Sequence, residues 1–160
     1  MKLIEPVENF KVFSDGLLTE METNIKLSGN DPLQQTYAVM KNNVSQPELA
    51  NMPYTTELIA RMKSIHTFEN VVYRLLKPCG AYTLHNDAVR GWGSINYHVV
   101  LTTNDQCFFL YPENSEQQVY KMSTNTLWRA CVNKPHTFVN AGITDRIHIT
   151  FDKGESTYIK

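Results

Sequence analysis

The chain has 160 residues, of which 42% are hydrophobic. This length is typical of one domain and allows a sizeable buried core. Its 15 basic and 16 acidic residues give a net charge of −1, and no run of Lys or Arg forms the basic surface typical of a nucleic-acid-binding protein. Composition therefore argues against nucleic acid as a partner.

The sequence shows no pattern of an export signal or a membrane anchor. Glu5 and Glu8 interrupt the first ten residues, and no later stretch is apolar over the length of a bilayer. The three cysteines, Cys79, Cys107 and Cys131, are odd in number and lack CxxC spacing, which argues against a disulfide framework and a zinc ribbon. These features predict a cytoplasmic protein that has no membrane partner.

The first part of the chain, 1–67, predicts three helices. The first follows the turn-forming segment Ser14–Gly16, the second begins at Asp31-Pro32, and the third follows Thr55 or Thr56. In each, apolar residues recur at helical spacing. They are Leu17, Leu18, Met21 and Ile25 in the first, Leu33, Tyr37, Met40 and Val44 in the second, and Leu58, Ile59, Met62 and Ile65 in the third.

After Phe68 the pattern changes to short runs rich in Val, Tyr, Thr and Phe, separated by turn residues. The candidate strands are Val71–Leu76, Tyr82–His85, Ser94–Leu101, Cys107–Tyr111, Gln118–Met122, Thr126–Val132, His136–Val139 and Arg146–Phe151. Antiparallel strands without alternating helices predict a jelly roll, which is a double-stranded β-helix. We expect a mainly β single domain (1–160), in which the helices of 1–67 pack outside a jelly-roll core (68–152) and 153–160 form a tail.

The triplet His85-Asn86-Asp87 is a candidate half of a metal site. Residues two apart on a strand face the same side, so His85 and Asp87 can reach one ion together. Alone the triplet is weak, because a histidine near a strand end is more often simply hydrogen-bonded. His136 begins a later strand and adds a third ligand. Two imidazoles and one carboxylate on one side of an ion suit a non-haem Fe(II) oxygenase.

Polar and apolar residues alternate strictly in Arg146–Phe151. Arg146, His148 and Thr150 share one face, which either meets solvent or lines the interior of a barrel. An inward Arg146 would present a planar, permanently charged group suited to a carboxylate. The last strand is thus a candidate cosubstrate site.

Two other segments contain candidate binding residues. Asn96 and His98 share a strand face, and His98 either donates to a bound carboxylate or is a hydrogen-bonded core histidine. The segment Ala88–Ser94 directly follows the first metal ligands and is expected at the barrel mouth. There Arg90 would bind a substrate carboxylate and Trp92 would line the pocket; the alternative is a hairpin with one exposed arginine.

From Val71 to Asp152 the chain resembles the Fe(II)- and 2-oxoglutarate-dependent dioxygenases, and among them the aspartyl/asparaginyl β-hydroxylase-like group. The motifs that carry the resemblance are Leu76-Lys77-Pro78-Cys79-Gly80 before His85-Asn86-Asp87, Tyr97-His98-Val99-Val100-Leu101, Pro135-His136-Thr137-Phe138-Val139-Asn140, and Arg146-Ile147-His148-Ile149-Thr150-Phe151-Asp152. Their order, their strand parity and the ten-residue step from His136 to Arg146 all agree with the group.

The resemblance implies that His85, Asp87 and His136 bind Fe(II). It also implies that Arg146 binds the distal carboxylate of 2-oxoglutarate and that His98 contacts this cosubstrate. The implied reaction uses O2 to convert 2-oxoglutarate to succinate and CO2 and hydroxylates an unactivated C–H bond. The implied substrate is an amino acid or a peptidyl residue, and hence a small molecule or a peptide.

The chain departs from the group at two positions. Asn96 replaces an arginine that is common two residues before the histidine of the cosubstrate site, and Cys79 interrupts the usual Pro-Gly pair. The residues also allow two alternatives. A cupin-like metal protein, either an isomerase or a dioxygenase that does not use 2-oxoglutarate, would more often carry HxH and would leave Arg146 without a role. A non-catalytic ligand-binding jelly roll would have no tight Fe(II) site.

Overall fold

The computed structural model describes residues 2–87, 94–112 and 118–153. In these residues the helices are α1 (Ser14–Asn24) and α2 (Pro53–Met62), and a short 3₁₀ helix spans Pro47–Asn51. The strands are β1 (Ile4–Lys11), β2 (Gln34–Lys41), β3 (Val44–Ser45), β4 (Asn70–Leu76), β5 (Ile95–Thr102), β6 (Cys107–Tyr111), β7 (Gln118–Tyr120), β8 (Thr126–Cys131), β9 (Thr137–Asn140) and β10 (Arg146–Asp152).

The strands form two antiparallel sheets that face each other. The major sheet has the order β1-β8-β5-β10-β4-β2-β3, and the minor sheet has the order β7-β6-β9. Apolar side chains of both sheets, such as Leu76, Val100, Phe109 and Phe138, form one core cluster between them. This double-sheet arrangement confirms the predicted jelly roll.

The other face of the major sheet packs against the helices. Leu17 and Met21 of α1 and Leu58 of α2 share a buried cluster with Ile149 and Phe151 of β10. Since alternate residues of a strand face opposite sides, the apolar residues of β10 face the helices and its polar residues face the minor sheet. The N-terminal helices thus pack outside the jelly roll, as predicted.

Neither helix has the length or the apolar character that crossing a bilayer requires, within the described part of the chain.

The predicted helix that begins at Asp31-Pro32 is wrong. Its residues form β2, which pairs with β4 over Gln34–Met40, and the short β3. Asp31 caps a turn instead of a helix, because its Oδ1 atom accepts a hydrogen bond from the Leu33 N–H group (2.8 Å). The segment 1–67 also contributes β1, which pairs with β8 and was not predicted. It is therefore only partly helical.

The predicted strand Tyr82–His85 is also shorter than expected. Within it only His85 forms an isolated bridge, with His136, and a second bridge joins the preceding residue Ala81 to Val139 of β9. The other predicted strands and the first and third helices are present, with ends that differ by up to three residues.

Glu20 of α1 caps the N-terminus of α2. Its carboxylate accepts hydrogen bonds from the backbone N–H groups of Tyr54 (2.5 Å) and Thr55 (2.8 Å) and from the Thr55 hydroxyl (2.9 Å). Negative charge is favourable at this end of a helix. We expect Glu20→Ala to lower the free energy of unfolding by about 2–3 kcal/mol, since buried donors lose a charged acceptor. Urea denaturation measures this.

The matched control is Glu22→Ala on the exposed side of the same helix. Its effect should stay within about 0.5 kcal/mol. Equal losses in the two variants would contradict a capping role for Glu20.

Candidate active site

A cavity of about 280 Å³ lies between the two sheets. The major sheet contributes mostly polar side chains to its lining, which are Arg74, Asn96, His98, Arg146, Thr150 and Asp152. The opposite side of the cavity contributes His85, Asp87, His136, Phe109 and Phe138. The polar face of β10 therefore lines a cavity and is not a solvent-facing surface.

Backbone pairing brings the two predicted histidine ligands together. His85 and His136 form an antiparallel bridge in which the N–H group of each donates to the carbonyl of the other, at 3.1 and 2.9 Å. Side chains directly opposite each other on paired strands lie on the same face. Two residues after His85, the Asp87 N–H group donates to the Val132 carbonyl (2.9 Å), which fixes the backbone at Asp87 as well. The bridge thus places all three side chains on one side.

The three side chains have the geometry of a metal site. Asp87 Oδ1 lies 3.1 Å from His85 Nε2, and Asp87 Oδ2 lies 3.6 Å from His136 Nε2. One ligand atom from each residue can be chosen so that all three lie within 4.8 Å of one another. Ligand atoms at about 2.1 Å from a metal and at right angles to each other are about 3 Å apart. The donor set and its spacing therefore fit one small divalent cation.

The backbone also sets which histidine nitrogen faces the ion. His85 Nδ1 contacts the Thr83 carbonyl at 2.6 Å, and His136 Nδ1 contacts the Lys134 carbonyl at 2.8 Å. A carbonyl only accepts hydrogen bonds, so each Nδ1 carries a proton, and in the neutral imidazole Nε2 is then the nitrogen that can bind a metal. Such outer hydrogen bonds orient histidine ligands in metal sites. Both imidazoles are thus prepared to bind a metal through Nε2.

The turn before these ligands explains one departure from the group's pattern. The Gly80 N–H group donates to the Lys77 carbonyl (2.9 Å), and Cys79 has a φ of 70°. Proline followed by a residue with positive φ is the pattern of a type II turn, in which glycine normally takes the third position. Cys79 occupies that position, so the turn persists despite the interruption of the Pro-Gly pair.

Arg146 is almost fully buried, with 1% exposed. Its guanidinium carbon lies 3.2 Å from the centre of the Phe138 ring, and its Nε donates to His148 Nε2 (2.6 Å), while Nη2 contacts His148 Nδ1. Nη1 is buried and has no hydrogen-bond partner among the described residues. Burial lowers the pKa of Arg146 to about 9, so the group is still a cation at neutral pH. A carboxylate in the cavity would satisfy this buried charge.

His98 and His148 form a buried pair beside Arg146. Their Nδ1 atoms are 3.3 Å apart. Burial, and secondarily the nearby charge of Arg146, lower the pKa of both imidazoles well below the ordinary value. His148 thus contacts both Arg146 and His98, and His98 also lines the cavity.

The depressed pKa of His148 predicts a pH-dependent stability. In the unfolded chain the imidazole takes up a proton below about pH 6.5, whereas in the folded protein it stays neutral. Protonation therefore favours the unfolded chain, and the contribution of His148 to the free energy of unfolding is present above pH 6.5 and is lost as the pH falls below it. Between pH 7.5 and 5.5, wild type should lose about 1.4 kcal/mol more than His148→Asn. Urea denaturation at the two pH values measures this. Equal losses would contradict a neutral buried His148.

Arg74 and Asp152 are cavity residues for which the sequence predicted no role. Arg74 lies opposite His148 in the pairing of β4 with β10, and its Nη2 lies 3.5 Å from Asp152 Oδ2. The signal available was a single charged residue in the otherwise uncharged strand β4. The predicted substrate residues Arg90 and Trp92 lie outside the described residues.

A jelly roll whose interior holds two histidines and one aspartate on one side of a cation site defines the class of mononuclear non-haem Fe(II) oxygenases. The model of the aspartyl/asparaginyl β-hydroxylase family matches residues 14–154. The chain therefore belongs to this family, and it is an Fe(II)- and 2-oxoglutarate-dependent dioxygenase. A search of the curated proteins finds no match.

Solved structures with the same fold have low sequence identity to the chain. A prolyl hydroxylase from Trichoplax adhaerens, in complex with a hypoxia inducible factor peptide fragment, has a TM-score of 0.68 and 13% identity, covering 97% of this chain and 85% of its own. A Pseudomonas putida prolyl-4-hydroxylase has a TM-score of 0.62 and 13% identity, and the match covers 94% of this chain and 92% of that protein. HygX from Streptomyces hygroscopicus, with nickel and 2-oxoglutarate bound, has a TM-score of 0.64 and 9% identity, and the match covers 94% of this chain and 81% of that protein. These similarities support the fold.

Proposed function

We propose that this protein, a single domain, hydroxylates an amino acid or a peptidyl residue at an Fe(II) site formed by His85, Asp87 and His136. The observation that carries the proposal is the cluster of three ligand atoms within 4.8 Å at the wall of a cavity. When bound, the iron supplies oxidative chemistry with O2 and 2-oxoglutarate that protein side chains cannot perform. Three protein ligands leave coordination positions for cosubstrate and O2.

In the same proposal Arg146 binds the distal carboxylate of 2-oxoglutarate. The buried Nη1 group without a partner supports this role, because a carboxylate would give it a charge-assisted hydrogen bond. Tyr82 also lines the cavity, and its hydroxyl lies close enough to the Arg146 guanidinium to raise the pKa of that group. Together they provide one cationic and one neutral donor for the same ligand group.

His98 serves as the neutral neighbour of the cosubstrate. Its ring stands edge-on to Phe109, and its Nδ1 contacts His148, so its orientation is fixed from two sides. Phe109 and Phe138 provide the apolar wall that limits water near the metal ligands. Arg90 and Trp92, which follow Asp87 closely in the chain, are proposed to contact the substrate at the mouth.

The proposal is tested by anaerobic titration with Fe(II) and then with 2-oxoglutarate, followed by measurement of succinate after O2 is added. We expect stoichiometric binding of both ligands, and succinate release that increases with a substrate from a panel of amino acids and peptides containing Asp, Asn or Pro. Metal binding without 2-oxoglutarate binding would favour the cupin-like alternative. Absence of tight Fe(II) binding would favour a non-catalytic jelly roll.

A further inference from the structure

Arg74 is a second arginine in the cavity, and neither the proposed metal site nor the proposed 2-oxoglutarate site uses it. It is the only charged residue of β4, whose other members are apolar except for Asn70. Its side chain is 25% exposed and lines the cavity. A charged side chain on the inner face of a sheet costs desolvation free energy, which a ligand of opposite charge can offset.

Two residues of β10 hold the Arg74 guanidinium in place. Its Nε donates to Thr150 Oγ1 (2.9 Å), and its Nη2 donates to Asp152 Oδ2 at the longer distance of 3.5 Å. Asp152 is buried, and its other oxygen accepts a hydrogen bond from Asn70 (3.0 Å). These bonds use Nε and one Nη2 hydrogen, so further N–H groups of the fork are available to a planar anion.

The two arginines serve different parts of the cavity. The Arg146 guanidinium lies against His148 and Phe138, whereas the Arg74 guanidinium lies against Thr150 and Asp152. Arg74 pairs with His148, two residues along β10 from Arg146, and its side chain reaches along this strand to Thr150 and Asp152, on the far side of His148 from Arg146. A 2-oxoglutarate molecule that joins the metal to Arg146 therefore leaves Arg74 to another ligand.

We propose that Arg74 binds a carboxylate of the primary substrate, with Thr150 and Asp152 as the residues that position it. This inference rests on the proposed function and narrows its substrate class to amino acids that carry a free carboxylate. The carboxylate belongs either to the main chain of a free amino acid or to an acidic side chain in a peptide. A bidentate pair with arginine suits both.

The test uses the whole protein loaded with Ni(II) and 2-oxoglutarate, so that binding is measured without turnover. Two matched probe pairs separate the two sources of the carboxylate. L-Asparagine against L-asparaginamide reports the main-chain carboxylate, and N-acetyl-Gly-Asp-Gly-amide against its Asn counterpart reports the side-chain carboxylate. Calorimetry compares wild type with Arg74→Gln and Arg74→Lys.

We expect wild type to bind the acid of at least one pair about tenfold more tightly than its amide. Arg74→Gln should remove this preference and Arg74→Lys should keep part of it, while 2-oxoglutarate affinity stays within about twofold. The matched control is Arg129→Gln, which removes a half-exposed arginine paired with Glu5 on the outside of the sheet. This control should keep the full preference for the acid.

Three outcomes would overturn the inference. In the first, neither acid binds more tightly than its amide. In the second, Arg74→Gln keeps the preference. In the third, Arg74→Gln weakens 2-oxoglutarate binding as strongly as Arg146→Gln does, which would place Arg74 in the cosubstrate site. Failure of wild type to bind 2-oxoglutarate is seen before any probe is added, and it would overturn the proposed function together with this inference.

Discussion

Replacement of Asp87 by alanine is expected to lower the affinity for Fe(II) by at least about 100-fold. Loss of a group that merely orients a ligand already costs about 10- to 100-fold in metal affinity, so loss of a ligand should cost at least the upper value. Asp87 is 3% exposed and is the one anionic member of the cluster. Its removal leaves two neutral imidazoles to bind a dication. Anaerobic calorimetry, or competition with a chromophoric chelator, measures the change.

Two variants make this result specific. Asp87→Asn keeps the shape but removes the charge, and it should fall between wild type and Asp87→Ala. Asp145→Ala removes a half-exposed aspartate that lies 3.9 Å from Lys77, and it should leave the affinity unchanged. If Asp87→Ala bound Fe(II) like wild type, the metal would lie elsewhere and the proposed triad would be wrong.

Strand parity made the candidate site predictable from the sequence. His85 and Asp87 are two residues apart, and the alternation in Arg146–Phe151 separates an apolar face from a polar one. A one-residue shift would reverse every side chain, so parity limits which residues can meet inside the barrel. The structure places Arg146 and His98 on the inner face with the triad, in agreement with this reasoning. Their roles as cosubstrate ligands remain predictions.

The first part of the chain was less predictable because its local pattern does not determine its pairing. Leu33, Tyr37, Met40 and Val44 have helical spacing, yet their segment gains more from joining β4 at the edge of the major sheet. Strand preference depends on the neighbouring strand, which sequence periodicity does not contain. The same limit applies to Arg74. The sequence indicates only that Arg74 lies in a strand, and the pairing of β4 with β10 is what places it beside Thr150 and Asp152.

Replacement of Arg146 by glutamine is expected to lower 2-oxoglutarate affinity by on the order of 100-fold or more, with Fe(II) affinity unchanged within a few fold. Truncation of one partner in a buried, hydrogen-bonded charge pair costs about 2–5 kcal/mol. The burial of Arg146, with 1% exposed, puts the proposed pair in this category. A pKa of about 9 keeps the group charged at pH 7.5, where calorimetry with the Ni(II)-loaded protein can be done.

Measuring Fe(II) affinity and 2-oxoglutarate affinity on the same variant distinguishes a cosubstrate-binding role of Arg146 from a role in supporting the fold. A variant with a damaged cavity would lose both affinities, whereas loss of the carboxylate partner alone removes only the second. Arg146→Lys keeps the charge but not the planar fork, so its 2-oxoglutarate affinity should fall between wild type and Arg146→Gln. Arg129→Gln, on the outside of the sheet, should bind both ligands like wild type. If Arg146→Gln kept full 2-oxoglutarate affinity, the distal carboxylate would need another cation, and Arg74 is the other arginine that lines the cavity among the described residues.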